Sequence, residues 1–181
     1  MTCSLKAQRA REQGNADLAA ELDRQAIAHF DEAIRLEPRH PGAWGGKGMA
    51  HAQLGDPGAA AEAFVEATKI EPNTPEFFRQ LGLCQIELGE ISAARQSTLR
   101  AVELAADPHY ARNAAIEVYN FGGSIMTAAV RDRDAGRTQE EHRGYLMALA
   151  VFRLALELNP DFEEARKGES IAASCIQQSP R

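Results

Sequence analysis

Residues 41–74 read PGAWGGKGMAHAQLGDPGAAAEAFVEATKIEPNT, and this stretch decides the fold. Two apolar-periodic segments flank the triplet Gly55-Asp56-Pro57. Glycine readily adopts the left-handed conformation that ends a helix, aspartate caps the next one, and proline is pre-organised for its first turn. The triplet therefore predicts a tight turn between two antiparallel helices. Gly48 has no side chain, so the helix carrying Ala60 can approach closely, while Trp44 and Phe64 fill the remaining space. Pro72 stops the second helix.

The unit recurs at a shift of 34 residues. Forward, Trp44 falls on Phe78, Gly48 on Gly82, Gly55 on Gly89, Ala60 on Ala94 and Ala67 on Ala101. Backward, Phe64 falls on Phe30, Ala67 on Ala33, Ala60 on Ala26 and Pro72 on Pro38. So many coincidences at one offset predict helix-turn-helix repeats over about 7–40, 41–74 and 75–108.

The pattern then stretches. Ala148, Phe152, Ala155 and Pro160 restate Ala60, Phe64, Ala67 and Pro72 at an offset of 88, which is twenty more than two periods. Ile116, Tyr119, Gly123, Met126 and Val130 recur at helical spacing, so the extra residues predict two long helices in an extended repeat, 109–160. Gly136 ends the first of them, and Thr138-Gln139-Glu140-Glu141 reads as a capping box for the second. Phe121-Gly122-Gly123-Ser124 is the weak point, and a helix break there is the competing reading. Phe162, Ala165, Ala172, Cys175 and Ile176 predict a final amphipathic helix over 161–178, capping the last repeat.

Trp44, Gly48, Ala60, Phe64, Ala67 and Pro72, with their counterparts one period away, resemble the tetratricopeptide repeat. Lys47 stands where that family has leucine, His51 where it has tyrosine and Thr98 where it has its second aromatic. The resemblance implies an all-α, right-handed solenoid in a single domain spanning 1–181.

Composition narrows the function. The 181 residues carry a formal net charge of −6 and no dense Lys/Arg run, which argues against nucleic acid. No apolar stretch approaches the ~18 residues of a membrane span. Cys3, Cys84 and Cys175 are odd in number and widely spaced, so neither a disulfide framework nor a zinc site is expected, and a reducing, cytoplasmic setting fits. The opening residues lack an apolar signal region; a periplasmic home would require that an export signal had been removed. None of His29, His40, His51, His109 and His142 has a histidine three or four residues away. Phosphate-binding and nucleophile motifs are missing too, so neither cofactor nor metal nor catalytic group is expected. Glu140-Glu141 and Glu163-Glu164 read as solvated first-turn carboxylates.

The resemblance also implies a peptide groove lined by the second, fifth, ninth and twelfth residues of each first helix. Carried over, the first repeat offers Gln8, Arg11, Asn15 and Leu18, and the second Gly42, Gly45, Met49 and Ala52. The third offers Glu76, Arg79, Leu83 and Ile86, and the long helix Tyr110, Asn113, Glu117 and Asn120. The strongest candidates are Arg11, Asn15, Gly45, Met49, Glu76, Arg79, Leu83, Ile86, Asn113 and Glu117. They suggest a middle repeat with little bulk, an apolar floor, and two arginines for ligand carboxylates or carbonyls. Gly46, Glu76 and Gln80 leave the basic carboxylate clamp of chaperone-binding relatives incomplete. The expected function is an interaction scaffold holding an extended or helical peptide of a protein partner. A secretion- or assembly-type chaperone and a self-assembling homo-oligomer are the alternatives.

Overall fold

Gly14, Gly55, Gly89 and Gly136 all lie just past the end of a helix, with φ between 72 and 77°. In that left-handed region a side chain is strained, so each supplies a turn other residues supply poorly. The computed structural model describes residues 3–178, and among them it holds nine helices and no strand. The chain divides into two units, residues 1–88 and 89–181.

The first unit contains α1 (Cys3–Glu12), α2 (Ala16–Leu36), α3 (Pro41–Gln53), α4 (Pro57–Ile70) and α5 (Pro75–Glu87). Consecutive helices pack on one another throughout. The triplet read from the sequence behaves as expected: the Asp56 carboxylate accepts from the Ala59 N–H at 3.1 Å, and Pro57 opens α4. Prolines also open α3 and α5, at Pro41 and Pro75. Phe64 lies in a core with Ala60, Leu81 and Cys84. Its ring occupies the space that a Cβ on Gly48 would need. Lys47, in leucine's place, reaches Asp31 at 2.6 Å and lies over the Trp44 ring. The Trp44 indole N–H donates to the Pro38 carbonyl at 2.9 Å.

The first repeat departs from the expected register. Gly14-Asn15 ends α1 seven residues ahead of the position equivalent to Gly55-Asp56, so α2 has 21 residues where α4 has 14. Asn15 and Leu18 therefore leave the first helix: Asn15 caps α2, accepting from the Leu18 N–H at 3.1 Å.

The second unit contains α6 (Ile91–Ala105), α7 (Pro108–Asp134), α8 (Thr138–Leu158) and α9 (Glu163–Gln178). α7 runs 27 residues without a break at Gly122-Gly123. The reason is packing: the Phe152 ring of α8 fills the space against Gly122. The buried face of α7 is Ala114, Ala115, Val118, Gly122 and Ala129, which shifts the expected stripe. Ile116 is exposed and Gly123 has open space before it. Tyr119 and Met126 do pack against the Ala148–Phe152–Ala172 core. Tyr119 also meets Phe162, the residue just ahead of α9, at 5.1 Å between centroids.

Two expectations around residue 140 need correction. Thr138 is the first helical residue of α8 rather than its cap, and Arg137 at the cap makes no side-chain bond to the helix. Glu141 is buried rather than solvated, because the lengthened α7 lies against that turn of α8.

Candidate functional site

The groove positions of the first unit sit on α1, α3 and α5, apart from Asn15 and Leu18 at the start of α2, and packing has already claimed several of them. Arg11 forms an ion pair with Asp23 of α2, whose carboxylate is buried. Asn15 is spent on the α2 cap. Gly45 is buried beneath Phe77: a Cβ added there would come within 2.5 Å of that ring. Phe30 similarly covers Gly46. The middle repeat is thus short of side chains because its neighbours' aromatic rings occupy it, and it offers no roomy gap. Ile86 is fully buried and presents no surface to a ligand.

Met49, Leu83, Glu76 and Arg79 remain. Met49 is 39% exposed and Leu83 half-buried, and they hold equivalent places, 34 residues apart, on α3 and α5. Arg79 does not stand ready for a ligand carboxylate. Its guanidinium makes two bonds to Glu76, at 3.0 and 2.5 Å, and Gln80 donates to the same carboxylate at 2.9 Å. Burial pushes the Glu76 carboxyl up, but those hydrogen bonds and the arginine charge outweigh it and hold the carboxyl below its ordinary value. The group facing outward is therefore an ionised acceptor, half exposed and fixed in orientation. This reverses the polarity expected from sequence.

Asn113 and Glu117 lie on α7, in the second unit, where Asn113 is exposed and Glu117 half-buried. That unit also carries a surface the repeat positions do not indicate. An open recess of about 490 Å³ lies between α6 and α8, floored by Ile91, Leu146, Leu149, Ala150 and Leu154. Arg95 and Glu157 pair at its rim. The one sequence signal was Leu146, an apolar residue outside the main stripe of α8, and it is 47% exposed. Cys84 is a core thiol, with its pKa pushed up to about 11, first by burial and then by Glu87. Among the described residues no cluster of three His, Cys, Asp or Glu side chains could hold a metal ion, and no helix is long and apolar enough to cross a membrane.

Comparison with known proteins places this architecture. No curated protein matches the sequence. Solved structures share the fold at low identity, two of them as follows. MamA is 16% identical over 96% of this chain and 81% of its own, with a TM-score of 0.53. A putative Podosopora anserina kinesin light chain with nearly identical tetratricopeptide-like repeats is 15% identical, covering 97% and 93%, with a TM-score of 0.51. The family model described as tetratricopeptide repeat matches residues 5–73 and 51–111, more than half the chain. With the 34-residue period and the helix pairs already in view, the chain belongs to the tetratricopeptide-repeat family.

Proposed function

We propose that the protein is an interaction scaffold whose first unit holds a partner peptide along α3 and α5, and that it works by binding rather than catalysis. The observation that carries this reading is the pairing of Met49 and Leu83, apolar and accessible at equivalent positions, with the fixed carboxylate of Glu76 seven residues before Leu83 on α5. A flexible thioether and a leucine suit one large apolar side chain of the ligand. Glu76 suits a lysine or arginine near it: Oε1 accepts from Arg79 and Gln80 and Oε2 from the Arg79 Nε–H, and the half-exposed, ionised carboxylate keeps acceptor capacity at Oε2 for a further cation. The three dispersed cysteines favour the cytoplasm as the place where this happens.

Peptide display against the full chain tests the idea. Selected sequences should pair an apolar residue with a basic one. Met49→Asp/Leu83→Asp should weaken those peptides at least tenfold, and Glu76→Gln should relax the basic preference alone. Selection of no peptide, or peptides that bind the double variant unchanged, would sink the proposal. The recess between α6 and α8 is a second surface, supported by its apolar floor, and peptides insensitive to the first variants but lost with Leu146→Asp would map there.

A further inference from the structure

We propose that α1 is a displaceable clip: it leaves α2 without unfolding the rest of its unit, and the Arg11–Asp23 pair decides whether it is docked. Several features separate α1 from its neighbours. It has 10 residues, below the ~12–15 at which an isolated helix becomes even marginal in water, so it depends on packing. That packing is one-sided. Its buried residues are Ala7 and Ala10, Leu5 is exposed, and its substantial contacts are with α2 alone. α3, by comparison, buries Ala43, Gly45, Gly48 and Ala50 and packs on both α2 and α4.

The turn after α1 is of the same kind as Gly55-Asp56, with Gly14 in open space and Asn15 capping α2, so α2 keeps its own start when α1 departs. Beside the buried Ala7 and Ala10, one charged contact ties α1 to α2 among the described residues. Asp23 is 3% exposed, and Arg11 is the charge acting on it. Elsewhere on α1, Glu12 accepts from Gln8; on α3, Lys47 is paired with Asp31 and His51 turns to Asp56. Burial pushes the Asp23 carboxyl up by more than Arg11 lowers it. An ionised Asp23 under a docked α1 therefore needs the guanidinium, since Arg11 is the cation that acts on it among the described residues. When α1 swings away, water solvates the carboxylate instead. The pair works as a key for seating α1 more than as a source of stability.

Hydrogen exchange by mass spectrometry on the full chain tests this, using wild type, Arg11→Ala and Arg11→Ala/Asp23→Asn. In wild type, the amides of α1 should exchange at least tenfold faster than those of α2 and α4. Arg11→Ala should accelerate α1 a further tenfold or more while leaving α3 and α4 unchanged. Adding Asp23→Asn should restore wild-type protection, since the amide carries no charge to strand. The proposal is overturned if α1 exchanges in step with α2 and α4, if Arg11→Ala has no effect or loosens all four helices together, or if the double variant behaves like Arg11→Ala.

Discussion

Gly122 and Gly123 are adjacent in α7 and chemically identical, yet the structure assigns them opposite responses to a single methyl group. Replacing an interior helical glycine by alanine gains about 1 kcal/mol through backbone entropy. Gly123 has open space before it, so Gly123→Ala should collect that gain in full. A Cβ on Gly122 would come within 2.6 Å of Phe152 Cε1 and 2.8 Å of Cδ1. The ring has little room to retreat, because it also lies against Gly168, where a Cβ would come within 2.9 Å of it, and Tyr119 lies 5.7 Å away between centroids. Overpacking of this kind costs about 1–3 kcal/mol. Helix propensity is common to both variants and cancels in their difference, so Gly122→Ala should be less stable than Gly123→Ala by about 1–3 kcal/mol. At about 2–4 °C per kcal/mol for a chain of this size, that is a gap of roughly 2–12 °C in melting temperature. Thermal melts followed by circular dichroism at 222 nm read it directly. Equal stabilisation by both variants would show that Phe152 does not rest on Gly122. Equal destabilisation would show that α7 is interrupted there and that the broken-helix reading was right.

The buried thiol gives a chemical check. Below pH about 11 Cys84 stays protonated and lacks the reactive thiolate, so at pH 8 it should resist alkylation while the half-buried Cys3 and Cys175 react. Its folded value is raised, so its share of stability is full below the ordinary 9.0 and lost as the pH rises through about 11. Alkylation of Cys84 at the rate of Cys3 in native buffer would contradict the core assignment. Phe64→Ala removes a ring that is 1% exposed and should cost about 3–5 kcal/mol, read as a lower urea midpoint. A loss under 1 kcal/mol would mean the Gly48 contact closes without it.

The regular repeats were legible because their signals are local. Gly-Asp-Pro and the 34-residue period need no knowledge of what packs on what. The same logic could have found the early turn, since Gly14-Asn15 is the same kind of signal as Gly55-Asp56. It was missed because matching at a fixed period carries the turn of one repeat onto another and assumes equal helix lengths. The candidate site was harder to read. Whether Gly45 opens a groove depends on Phe77, which lies 32 residues away, and whether Arg79 is free depends on the rotamer that joins it to Glu76. Family positions say which residues face a groove, but they do not say which are already engaged.

The irregular lengths follow a rule of their own. α2 and α8 each have 21 residues against 14 in α4, and α7 has 27 against 13 in α3 and α5. The differences are seven and fourteen. Seven residues turn a helix through about 700°, within about 20° of two full turns, so a helix lengthened by sevens keeps its buried face aligned. An insertion of five would swing that face by about 140°. In α8 the alignment is visible from end to end, since Glu141, Tyr145, Ala148, Phe152, Ala155 and Leu158 are all buried. The added turns also bring their own contact: a Cβ on Gly144 would meet Ala129 Cβ at 2.7 Å, so the two helices close on small residues beyond the Gly122–Phe152 contact. In α2, α7 and α8 length is therefore a freedom this fold leaves open, spent in whole double turns. The recess beside Leu146 is lined on α8 by residues between 146 and 157, the part equivalent to α4, so the added turns 138–144 lengthen the contact with α7 without forming that surface.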